Sequence, residues 1–228
     1  RQVEIRVDEP VSGGADRARQ SYEQFLGLGK GDAALRAEAM RRLGDLKLEA
    51  GERSRIETDL AEGSPLDTTD AIALYSALLE AYPTGERNDA VLYQLARAYE
   101  ADQQIEKSLA TLDRMVRQYP QSRYLDEAQF RRGEMLFSAQ RWVDAKGAYA
   151  AVIRIGADSD FYEQSLYKHG WALFKQGDGE AALGSYATLL DRKLADEKQP
   201  GGVVDLETLT RPQRELIEDT LRVSAITF

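Results

Sequence analysis

The sequence predicts an all-α fold, an α-solenoid of stacked antiparallel helix pairs. Two observations carry that prediction. A small residue recurs every 37 positions, at Ala96, Gly133 and Gly170. Each is followed 12 residues later by a second small residue (Ser108, Ala145, Ala182), and 4 residues beyond that by a large apolar one (Leu112, Tyr149, Tyr186). A repeat of this length, built from two helical stretches, cannot bury its apolar face alone, so neighbouring copies stack. Within each stretch the apolar residues fall three and four apart, the period of one helix face.

The elements follow in order. Over residues 1–14, Val3, Ile5 and Val7 alternate with polar residues and predict a short extended arm, ended by Pro10 and Gly13-Gly14. Over 15–30, Ala18, Tyr22 and Phe25 repeat the pattern of Ala145, Tyr149 and Val152, so this stretch reads as the second helix of a partial repeat. Gly27, Gly29 and Gly31 close it.

A repeat with an insertion spans 32–83. Its first helix runs from about Asp32 to Ala50, with Met40, Leu43 and Gly44 on the packing face. Its second helix carries Ala71, Tyr75 and Leu78 and stops at Pro83. Gly44 and Ala71 lie 27 residues apart where other repeats use 12, so some 15 residues, 51–67, are inserted. Arg53 to Leu60 either extends the first helix or forms a short one, and Thr69 or Asp70 is the expected N-cap.

Regular repeats follow at 87–120, 124–157 and 161–194. Tyr82-Pro83 and Tyr119-Pro120 stop second helices, and Gly156 supplies the corresponding cap in the next repeat. Residues 195–209, with Pro200-Gly201-Gly202, form a loop. Thr210, Pro212 and Gln213 then look like a capped helix start. The helix over 210–228, with Leu221 and Ala225, is the first helix of a further, truncated repeat. A chain that opens on Arg1 and begins and ends in mid-repeat is expected to be a piece of a longer protein, with any targeting signal or lipid anchor outside it.

Composition narrows the function classes. A net charge of −9 argues against general nucleic-acid binding, which needs a basic face. The chain has no cysteine, so disulfides, thiolate metal sites and cysteine nucleophiles are excluded. No apolar run is long enough for a transmembrane helix. There is no glycine-rich phosphate loop and no Gly-x-Ser-x-Gly elbow. His169, the single histidine, is a poor basis for a metal site, and Asp158-Ser159-Asp160 lacks the glycine and acid of a calcium loop. Arg41-Arg42 and Arg131-Arg132 read as solvated helix charges. No cofactor, no metal and no enzymatic activity are expected.

The frame resembles the tetratricopeptide repeat family. The best copy is Leu92, Leu95-Ala96, Tyr99, Ser108, Leu112 and Pro120, followed by Gly133, Trp142, Ala145 and Tyr149, then Leu166, Gly170, Ala182 and Tyr186. Small residues let paired helices approach, and the aromatic fills the space between them. The stretches Tyr119-Pro120-Gln121-Ser122-Arg123-Tyr124 and Asp126-Glu127-Ala128 are also similar to linkers of bacterial envelope repeat proteins. These are the lipoprotein of the outer-membrane β-barrel assembly machine and the periplasmic coordinator of the Tol–Pal system. The insertion at 51–67 and the glycine loop near 200 depart from both.

That resemblance implies a non-enzymatic protein-interaction scaffold of the periplasm or outer membrane, near a membrane through an anchor outside the chain. In the family the first helices line a concave groove, and its groove positions flank the small packing residue. Here they fall on Tyr93, Arg97 and Glu100; Phe130, Glu134 and Phe137; and Tyr167, Trp171 and Phe174. Six of these nine are aromatic, more than a solvated face needs. Tyr93, Phe130 and Tyr167 stand where a carboxylate clamp would need Lys or Asn, so an apolar helix or extended segment suits the groove better. Envelope glycan stacked on the same aromatics is the alternative ligand, and a groove filled by the protein's own segments is a third possibility.

Overall fold

The computed structural model describes residues 14–29, 31–58, 68–195 and 210–227. Ten helices and no strand occur among them: α1 (Gly14–Gly27), α2 (Ala33–Thr58), α3 (Thr69–Ala81), α4 (Asn88–Ala101), α5 (Ile105–Gln118), α6 (Leu125–Ser138), α7 (Trp142–Ile155), α8 (Tyr162–Lys175), α9 (Gly179–Ala195) and α10 (Arg211–Thr227). The chain divides into two compact units, one up to Arg114 and one from Met115. Each is a stack of antiparallel helix pairs of the α-solenoid class.

The turns explain why the period is kept. Within each regular pair the chain reverses through one residue at positive φ: Gln103 (60°), Gln140 (59°) and Gly177 (80°), each 37 positions from the next. The same bonds recur around it. The amides of Gln104, Arg141 and Asp178 donate to the carbonyls of Tyr99, Leu136 and Leu173 at 2.8, 2.9 and 3.1 Å. This six-to-one bond satisfies a carbonyl that the helix end leaves unpaired. Glycine adopts the left-handed conformation without steric cost, whereas Gln103 and Gln140 each pay about 1–2 kcal/mol for it.

The packing face follows the small-to-large rule. In the first unit, Tyr75 is fully buried against Gly44, where a methyl group would lie 2.6 Å from the ring. In the same unit the buried Ser108 hydroxyl donates to the Ala96 carbonyl at 2.8 Å. In the second unit Tyr149 fills the space over Gly133, and Tyr186 that over Gly170. Both rings are fully buried. Beyond them, Leu173, Ala182, Tyr186 and Val223 of α8, α9 and α10 make one buried cluster. Gln213 starts α10 as its sequence suggests, its side chain accepting from the Thr210 amide at 3.0 Å and hydroxyl at 2.6 Å.

Three readings of the sequence change. α2 does not stop at Ala50 but continues to Thr58, so the first part of the insertion extends the helix. The N-cap of α3 is Thr68, not Thr69 or Asp70, and it makes no side-chain capping bond. Arg41 is not a solvated charge. Its side chain is 13% exposed and held by Glu38 and Asp45, with guanidinium–carboxylate distances of 2.6 and 2.7 Å. The extended arm, the end of the insertion and the glycine loop fall on 1–13, 59–67 and 196–209, outside the described residues.

Candidate functional site

The first helix of each repeat places the candidate residues one turn either side of its small residue. In the second unit these helices are α6 and α8, and their aromatics keep part of their surface. Phe130, Phe137, Tyr167, Trp171 and Phe174 are all half-buried. Each is held by other rings. Phe130 stacks on Phe161 of the α7–α8 turn, with centroids 5.1 Å apart. Phe137 meets the edge of Trp142 at 4.7 Å. Trp171 is edge-on to both Tyr167 (6.5 Å) and Phe174 (5.7 Å). These three pack on the α8–α9–α10 cluster. Such tilted and edge contacts suit the ring quadrupoles and fix the rings in place.

Charges are interleaved with the rings. Glu134 accepts from the Tyr149 hydroxyl at 2.6 Å and pairs with Lys168 at 2.9 Å. Burial first, and then the Glu134 hydrogen bond, push the Tyr149 phenol well above its ordinary range. The Lys168 ammonium also lies 5.4 Å from the Phe137 ring centre, and that of Lys175 lies 5.8 Å from Trp171. Both are cation–π contacts. The Tyr167 hydroxyl donates to Asp219 of α10. Lys168, Lys175 and Asp219 were not singled out in the sequence, and Trp142 only as part of the repeat frame. Lys168 and Lys175 lie on α8 itself, so helical spacing could have found them, whereas Asp219 lies beyond the 195–209 loop.

The first unit differs. Tyr93 is buried, 5% exposed, and is therefore no open groove residue. Arg97, one turn on, is ion-paired with Glu52 on the extended part of α2. The extended α2 thus reaches α4 through the Glu52–Arg97 pair.

Among the described residues no group of three or more His, Asp or Glu side chains could hold a metal ion. His169 is half-buried, with Nδ1 2.9 Å from the Ser185 hydroxyl. Burial, and then the charge of Lys146, hold its pKa below the ordinary value. Ser159, in the stretch weighed for calcium, spends its hydroxyl on Asp126 at 2.8 Å. Arg131 pairs with Glu127 at 3.0 Å. No helix among the described residues is long and apolar enough to cross a membrane.

Residues 56–168, just under half of the chain, match the model of an outer membrane lipoprotein family, YfiO. Residues 164–192 match a tetratricopeptide repeat model. No curated protein matches the chain. Among solved structures, a MamA protein aligns with a TM-score of 0.59 at 18% identity, over 85% of this chain and 90% of that one. MamA from Desulfovibrio magneticus aligns at 0.57 and 12%, over 81% and 89%. The nearly identical TPR-like repeats of a chain from Podosopora anserina, described as a kinesin light chain, align at 0.54 and 13%, over 87% and 99%. At these identities the likeness concerns the fold alone. The repeats of this chain are of the tetratricopeptide type, and its residues 56–168 resemble the outer membrane lipoprotein family.

Proposed function

We propose that this chain is a non-enzymatic scaffold that binds protein partners through the first-helix face of its second unit. The observation that carries the reading is the set of five half-buried aromatics on α6 and α8, Phe130, Phe137, Tyr167, Trp171 and Phe174, each in contact with a neighbouring ring. Rings already held in place lose little freedom on binding, which favours them as anchors. Glu134 and Lys168 supply a charged rim that sets register more than affinity. Tetratricopeptide-type domains generally bind proteins and are generally non-enzymatic. Of the groove residues in the first unit, Tyr93 acts by packing and Arg97 by its pair with Glu52. The similarity of 56–168 to an outer membrane lipoprotein family supports a place in the bacterial cell envelope.

The test is a double substitution, Phe137→Ala with Trp171→Ala, compared with Val143→Ala on the exposed start of α7. Partner affinity falls at least about tenfold in the double variant, with helicity kept, and is unchanged in the control. Equal affinity in all three proteins removes this face from the function.

A further inference from the structure

The first helices of the second unit carry many charges, and most of them are spent inside the chain. On α6, Glu127 pairs with Arg131, and Glu134 with Lys168 of α8. Asp126 accepts from Ser159, and Arg132 donates to Gln129. On α8, Glu163 pairs with Arg192 and Lys193 of α9. On α10, Glu215 pairs with Arg211 and Asp219 with Arg222, and Arg214 is not free either. Among the described residues of these three helices, that leaves Lys175 and Glu218 as charges with no ion pair or hydrogen bond.

These two stand at either end of the α8 rings. Lys175 lies in the last turn of α8, exposed, with its ammonium 5.8 Å from the centre of the Trp171 ring. Glu218, also exposed, borders a depression of about 620 Å³ between α8 and α10, whose wall on the α8 side is Tyr167. The other acids of that depression, Glu215 and Asp219, are already answered by Arg211 and Arg222. Tyr167, Trp171 and Phe174 meet edge to face along the helix from one end to the other. From Tyr167 to Lys175 the helix rises about 12 Å. A charge the chain leaves unpaired at the rim of an apolar face is available to a partner charge of opposite sign.

We propose that the partner segment bound by this face carries a basic residue that meets Glu218, an apolar residue on the Trp171 ring and an acidic residue that meets Lys175. The inference rests on the partner-binding reading of the α6–α8 face and adds the charge order of what that face binds. In an extended segment, alternate residues point to one side, and residues four apart are separated by about 13 Å. That spacing matches the rise along α8, so a basic, an apolar and an acidic residue at alternate positions reach all three places at once. Such rim charges fix register and reject wrong partners more than they add affinity.

The probes are three acetylated and amidated peptides, Lys-Ser-Leu-Ser-Glu, Lys-Ser-Leu-Ser-Lys and Glu-Ser-Leu-Ser-Glu, titrated into the 228-residue chain and followed by amide chemical shifts. Saturable shifts are expected at Tyr167, Trp171 and Phe174. The mixed peptide binds about threefold or more tighter than either like-charged one, the scale of exposed ion pairs. That preference shrinks as salt is raised. Glu218→Lys moves the preference to the Glu/Glu peptide, and Lys175→Glu moves it to the Lys/Lys peptide. Exchanging both charges together returns it to the mixed peptide. No saturable shift at the three rings from any peptide would overturn the inference together with the reading it rests on. Equal binding of the three peptides at those rings, or a preference that the single exchanges do not move, would overturn the charge order alone and leave the aromatic face in place.

Discussion

Gly170→Ala adds one methyl group at the closest approach in the second unit. That methyl would lie 2.7 Å from Cζ and 2.8 Å from Cδ1 of Tyr186, and closer still to Cε1. Real carbon contacts of this kind begin near 3.5 Å, so the ring must move. Tyr186 is fully buried and packed against Leu173, Ala182 and Val223, which leaves it little room. Overpacking of this kind costs roughly 1–3 kcal/mol. Alanine regains up to about 1 kcal/mol of helix propensity over glycine. The net expectation is a loss of about 1–2 kcal/mol.

The chain also suggests the rescue. At the same frame position it pairs Ala96 with Leu112 instead of glycine with tyrosine. Tyr186→Leu alone leaves a gap and costs about 2–4 kcal/mol. Combined with Gly170→Ala it should cost less than the two losses together, by about 1–2 kcal/mol, because the added methyl fills part of the gap. Urea unfolding followed by circular dichroism gives the totals. Amide exchange in α8 and α9 gives the local values, which matter because repeats need not unfold together. Additive losses, or a Gly170→Ala variant more stable than the parent, would refute the small-to-large packing rule at this repeat.

The tyrosines of the two pairs predict opposite responses to loss of the hydroxyl. Tyr149→Phe deletes a bond to Glu134 and should cost about 1–2 kcal/mol, whereas the buried Tyr186 hydroxyl has no hydrogen-bond partner among the described residues and Tyr186→Phe should be neutral or stabilising; thermal unfolding of both variants checks the contrast. Glu38 is held down to about pKa 2 from an ordinary 4.5, chiefly by the Arg41 hydrogen bond and then, against the opposing burial, by Arg42. A carboxylate lowered in the folded state stabilises fully above its unfolded value, and here that contribution fades as pH falls from 4.5 to 2. Glu38→Gln should flatten the acid limb of the stability curve in that window. His169 is lowered from 6.5 by burial, so the unfolded chain binds its proton first and stability falls as pH drops below 6.5. His169→Gln should remove that slope in unfolding measurements between pH 7 and 5.

The fold was legible because its rule is local and repeated. Gly133 with Tyr149 and Gly170 with Tyr186 show both the period and the helix faces that touch. The site was legible only as a set of positions. Spacing placed Glu134 beside the rings, but not its bonds to Tyr149 and Lys168, which depend on side-chain directions across helices. Tyr93 carried the same signal as Phe130 and Tyr167 and yet is buried. In the same unit α2 runs on into the insertion and brings Glu52 to Arg97, a pair that the period does not show. A period counts residues within a repeat and is blind to what an irregular neighbour lays over them.

The most direct test of the binding face is site-specific photocrosslinking in native cells, in the full-length protein. Photoreactive residues at Phe137 and Trp171 are compared with one at Val143, which is 65% exposed on α7. A discrete protein partner captured at Phe137 and Trp171 but not at Val143, and identified by mass spectrometry, is the result predicted here. Crosslinks from Phe137 and Trp171 to the protein's own chain alone, or the same products from all three positions, would contradict it.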